Sequence, residues 1–130
     1  MICVCGALHM MCRVAQVYIA VDAARALAAA GTAARVVSMP SWELFAEQPI
    51  DYRASVFPDG APVLSIEASA TFGWERYAHA AVGMTTFGTS APYEALYEEF
   101  GFTPAKVAAR ARAVLEFYAG KPVPSIVHRA

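Results

Sequence analysis

The twenty-one residues from Gly83 to Thr103 (GMTTFGTSAPYEALYEEFGFT) constrain the fold more than any other stretch of the chain. Val82 to Met84 read as the end of a buried strand. Gly88 frees the backbone to turn, and Ser90 with Pro92 suits the first turn of a helix. Tyr93, Leu96, Tyr97 and Phe100 follow at helical spacing and give that helix one apolar face. Gly101 stops it, and Thr103-Pro104 opens another as N-cap and first helical residue. A strand, a loop and two helix starts in so short a run belong to an α/β corner.

The rest of the chain alternates in the same way. Val17–Ala30 reads as a helix with Ala20, Val21, Ala24, Leu27 and Ala28 on one face, closed by Gly31. Arg35–Ser38 is a short β-branched strand. Ser41 caps a helical turn through Phe45, with Glu43 near its positive end. Ile50–Val56 is a second short helix ended by the turn Pro58-Asp-Gly60. Pro62–Glu67 is a strand, apolar enough to be covered on both faces. Phe72–Tyr77 is helical, a strand runs into Gly83, and a helix over 104–119 buries Val107, Ala111, Val114, Leu115 and Tyr118. Strands alternating with helices predict a three-layer α/β/α sandwich around a mostly parallel sheet.

Four collinear segments carry a resemblance. Ala20-Val-Asp-Ala-Ala24, the run Arg35 to Phe45 (RVVSMPSWELF), the run Ser65 to Trp74 (SIEASATFGW) and Gly83–Thr103 resemble, in order, the C-terminal domain of transketolases. The spelling SWELF followed by TFGW looks most like the plant, algal and bacterial branch. The resemblance covers roughly residues 17–118. It implies a mixed, mostly parallel sheet of about five strands. It divides the chain into an atypical segment 1–16, expected to replace the first strand, the domain proper at 17–119, and a loosely held tail at 120–130. The family's first strand runs into a Thr-Gly-Ser-Glu corner, and here Arg13, Val14, Ala15 and Gln16 stand in its place. Met1–Cys5 are the expected substitute for the strand.

Transketolases transfer a two-carbon ketol unit between sugar phosphates with thiamine diphosphate and a divalent cation, Mg or Ca. The resemblance places those groups on N-terminal domains outside this sequence. It therefore implies no cofactor-binding and no catalytic residue on this chain, which looks like a truncated or alternatively begun chain, or a degenerate copy, non-catalytic alone. Support and packing against other transketolase domains or a second subunit is the expected work. The aromatics clustered between Phe72 and Phe102 suit it, with Trp74, Tyr93, Tyr97 and Phe100 as candidate interaction residues. The alternative is a small-anion or regulatory binding module at the corner Gly88, Thr89 and Ser90, where helix-start N–H groups can hold an anion.

Other chemistries fare worse on spacing and charge. The corner resembles a phosphate loop, but Thr89 stands where lysine is needed. Glu67 and Glu75 form a nominal carboxylate pair, and His79 is of the residue type that can shuttle protons. A triad of Ser69, His79 and Asp59 lacks any nucleophile motif. Cys3, Cys5, His9 and Cys12 offer four soft ligands, but within ten residues rather than as two pairs around a loop. The expectation is reduced thiols in a reducing compartment, cytoplasm or plastid. The net charge of −1 carries no basic footprint for nucleic acid. Arg13 and His9 interrupt the apolar start, which argues against a membrane span. Charge is uneven: residues 41–103 hold nine acids and two bases, and 104–130 five bases and one acid. Hydrophobic residues make up 58% of the chain, so the core is unusually complete or part of the surface meets a partner.

Overall fold

A computed structural model describes residues 8–13 and 15–128. Its sheet holds four strands among the described residues: β1 (Leu8–Cys12), β2 (Ala34–Ser38), β3 (Val63–Ala70) and β4 (Ala80–Met84). Their spatial order is β2-β1-β3-β4 and every pairing is parallel. The helices are α1 (Val17–Ala29), α2 (Trp42–Ala46), α3 (Ile50–Val56), α4 (Tyr93–Phe100) and α5 (Pro104–Tyr118), with a 3-10 turn at Trp74–Arg76.

The central strand β1 is buried along its whole length. Side chains alternate across a strand, so Leu8, Met10 and Cys12 enter one core and Met11 the other. The first core packs β1 and β3 against α1 and α5, with Tyr97 and Phe100 of α4 at its margin. The second lies under α2, α3 and the 3-10 turn and is filled by Phe57, Trp74 and Tyr77. Each large apolar side chain buried in these layers stabilises the fold by ~1.5–3 kcal/mol.

Local chemistry sets the element ends. Ser41 caps α2, its Oγ accepting from the Leu44 N–H at 3.2 Å. Thr103 caps α5 with Pro104 in its first turn. Gly101 ends α4 at φ +86°, the left-handed value that glycine reaches without strain.

Several expectations shift. The first strand is Leu8–Cys12; Met1–Cys5 lie outside the described residues. The buried stripe of α1 is Ile19, Ala20, Ala23 and Leu27, so Val21 and Ala28 sit off the inner line. The α/β fold around a mostly parallel sheet is as expected; among the described residues the sheet has four strands, all parallel, where about five in a mixed sheet were expected. Helix α4 begins at Tyr93, not beside Ser90. A helix capped by Ser90 would put Ala91 in helical conformation directly before Pro92, where the proline ring disfavours it. The tail also packs down. Ile126 and Val127 are buried in the second core.

Candidate functional site

Parallel α/β sheets gather their functional groups where the strands end at their carboxyl side, above the point where connections leave in opposite directions. In this order that point lies between β1 and β3. Beyond β1 the chain passes Arg13 and Gln16 into α1, and Glu67 stands on β3. Gln16 is only 2% exposed. Its amide is oriented with the nitrogen toward Glu67, donating to Oε1 at 3.0 Å and Oε2 at 3.2 Å. The other end of the amide lies 3.5 Å from the Tyr97 hydroxyl. The Arg13 backbone N–H adds a bond to Glu67 Oε2 at 3.2 Å. Glu67 thus occupies the place beside the start of α1 that favours negative charge. The arrangement ties β1, β3 and α4 together.

The second carboxylate is engaged elsewhere. Glu75 Oε2 accepts from the Gly73 N–H at 2.8 Å, closing the tight turn before the 3-10 segment. His79 is also committed to the backbone. Its Nδ1 accepts from the Val63 N–H at 2.9 Å, and its Nε2 lies 2.8 Å from the Pro124 carbonyl. An amide N–H only donates, so Nδ1 is bare and the ring proton sits on Nε2, donated to Pro124. That ring clamps β3, the approach to β4 and the tail. With both nitrogens held, it offers no free acceptor to a Ser69 hydroxyl.

The cysteine-histidine cluster divides across the sheet. His9 and Cys12 are three residues apart on one strand and face opposite sides. His9 packs edge-on against Phe57, with ring centroids 6.1 Å apart. Burial, with the nearby Arg35 charge, lowers its pKa. Cys12 lies in the other core, and burial followed by the Glu67 charge pushes its thiol up to about 11. Cys3 and Cys5 lie outside the described residues. Among the described residues no three of His, Cys, Asp and Glu converge to hold a metal ion.

The candidate interaction residues separate by depth. Trp74 is buried, edge-on to Trp42 at 4.9 Å, and the Arg13 guanidinium lies 5.7 Å above the Trp42 ring. Tyr97 and Phe100 are partly buried against the first core. Tyr93 stays 63% exposed and meets Tyr97 edge-on at 5.9 Å. Gly88, Thr89 and Ser90 form an exposed loop short of the helix. The most exposed rings, Phe72 and Phe87, were not singled out as surface residues; each sits next to a loop glycine, the one signal that marked them. No helix among the described residues is long and apolar enough to cross a membrane.

Comparison with known proteins agrees along the chain. Residues 7–103 match the family model of the transketolase-like TK C-terminal domain. A transketolase of Kluyveromyces lactis is 48% identical over 115 residues, covering 88% of this chain and 17% of that enzyme. The chain thus spans about a sixth of the length of that enzyme. The transketolase of Pichia stipitis, in complex with sedoheptulose 7-phosphate, superposes with a TM-score of 0.92 at 39% identity, covering 96% of this chain and 18% of that one. A split-gene transketolase, an inactive β4 tetramer, superposes with a TM-score of 0.64 at 25% identity, over 85% of this chain and 40% of its own. An all-parallel sheet, a glycine-hinged corner after β4 and a family match across that whole frame converge: the chain belongs to the transketolase C-terminal domain family.

Proposed function

We propose that this chain is a support and packing domain of a transketolase-type enzyme and has no transketolase activity by itself. One observation carries the reading. The titratable side chains that most suggested chemistry are engaged in holding the fold: Glu67, near the carboxyl end of the sheet, on Gln16 and Arg13, Glu75 on Gly73, and His79, at the amino end of β3 and β4, on Val63 and Pro124.

In the family, thiamine diphosphate supplies the carbanion chemistry that carries the two-carbon unit, with a divalent cation on its diphosphate. Such a cation needs several convergent oxygen ligands. The described acidic residues supply no such group, so the residues present do not fit the cofactor and no step is assigned to them. The split-gene relative supports the division of labour. A chain that contains this fold, and whose other part lies outside the match, is inactive as a β4 tetramer.

The test has two arms. The purified chain, supplied with thiamine diphosphate, Mg and a ketose and aldose phosphate pair, is expected to show no turnover above buffer. A K. lactis transketolase carrying this chain in place of its matching 115 residues is expected to assemble and turn over. Turnover by the isolated chain, or an inactive and unassembled chimera, would sink the reading.

A further inference from the structure

Two loops leave the carboxyl ends of β3 and β4 side by side. Gly83 allows it, because a Cβ there would lie 2.7 Å from Thr71 Cγ2 and 3.1 Å from the Ser69 carbonyl oxygen. Between the loops runs an open cleft of about 950 Å³, lined by residues 68–72 and 84–88. Phe72 and Phe87 stand at its lips, 88% and 99% exposed. Neither ring belongs to a core cluster. Paired exposed phenyl rings flanking one cleft mark a surface made to be covered.

We infer that this cleft seats an apolar, uncharged segment from the body of the transketolase that this chain does not span. The inference rests on the packing role proposed above and names the surface that performs it. Two observations select that occupant. The relatives devote only 17% of their length to the matching segment, so a far larger body has to contact this domain. The ten lining residues, ASATF and MTTFG, include no charged side chain, although 16% of the chain is charged. Depletion of charge at the centre of a contact is a feature of protein–protein interfaces. The same absence gives a free anion or a basic partner nothing to pair with. Met84, Phe72 and Phe87 supply the apolar contact, and Thr71, Thr85 and Thr86 the hydroxyls that can satisfy a partner's backbone.

The test replaces both rings, Phe72→Ser and Phe87→Ser, in the free 130-residue chain and in the K. lactis chimera. Leu44→Ser, an exposed apolar residue near the opposite edge strand β2, is the control. The free chain is expected to keep its thermal midpoint, because neither ring is buried in it. The chimera is expected to lose assembly by tenfold or more, equivalent to about 1.4 kcal/mol, and the Leu44 control to lose none. A double variant that assembles like its parent overturns the cleft but leaves the packing role standing. Failure of the unsubstituted chimera overturns both. Unfolding of the free variant would make the rings part of the core, and self-association of the free chain through them would make a second copy the occupant; either overturns the inference.

Discussion

His79 shows how one side chain can be taken for chemistry and serve as a joint. The Val63 amide it satisfies is part of a buried strand, and the Pro124 carbonyl brings the tail onto the second core. Replacing it by alanine strands a buried N–H and releases the tail. His79→Ala should cost ~2–4 kcal/mol in denaturant unfolding, since an unsatisfied buried donor alone costs ~1–3 kcal/mol. Tyr77 is the converse case. Its hydroxyl is buried without a partner among the described residues. Tyr77→Phe should therefore be neutral or raise stability by up to ~1 kcal/mol. Cys12 gives a pH signature. Its thiol ionises near 9 when unfolded and at about 11 in the fold. Between those values the unfolded chain has lost a proton that the native chain keeps. Stability is thus full below pH 9 and falls as pH rises through 9 to 11, by up to about 1.4 kcal/mol per pH unit. Urea titrations from pH 8 to 11 should show that excess slope in the native sequence and not in Cys12→Ala. None of these roles was legible in the sequence: those of His79 and Cys12 depend on groups at least fifteen positions away, and the burial of the Tyr77 hydroxyl is set only by the folded core.

At the level of elements, sequence pattern was a good guide wherever capping and periodicity act within a few residues. Helix α3 was read at its observed bounds, and Ser41, Thr103 and Gly101 stop or start helices as their chemistry dictates. The start of α4 was misplaced because two local rules conflict, and the proline's restriction on Ala91 outweighs the capping preference of Ser90. The first strand was expected at Met1–Cys5, outside the described residues, whereas β1 runs over Leu8–Cys12, where His9 turns to the second core and packs on Phe57. Gly83 ties these elements to the cleft. Gly83→Ala would press a methyl against Thr71 and the Ser69 carbonyl, forcing the two loops apart. The expected cost is ~1–3 kcal/mol by thermal or chemical unfolding, the usual range for overpacking. A Thr71→Ser change removes the methyl behind the closest contact and should restore part of it.

Across the whole molecule, four short segments identified the family, and the proposed reading leaves the chemistry outside the chain. That outcome has a physical reason. The segments SWELF, TFGW and the run from Gly83 encode turns, caps and ring packing, which specify a frame rather than a reaction. Trp42 and Trp74 from two of those segments meet edge-on, and Gly73 lies so close that a Cβ would stand 3.3 Å from the Trp42 ring. What the frame presents outward is the pair of phenyl rings beside Gly83, and only the folded arrangement reveals that they share a cleft. The central claim is that the frame completes a transketolase rather than being one. Its most direct measurement is the turnover and sedimentation of the K. lactis enzyme carrying this chain in place of its own matching segment. The account predicts an assembled enzyme with turnover, beside an inert free chain. An unassembled, inactive chimera whose isolated insert is still folded would contradict it.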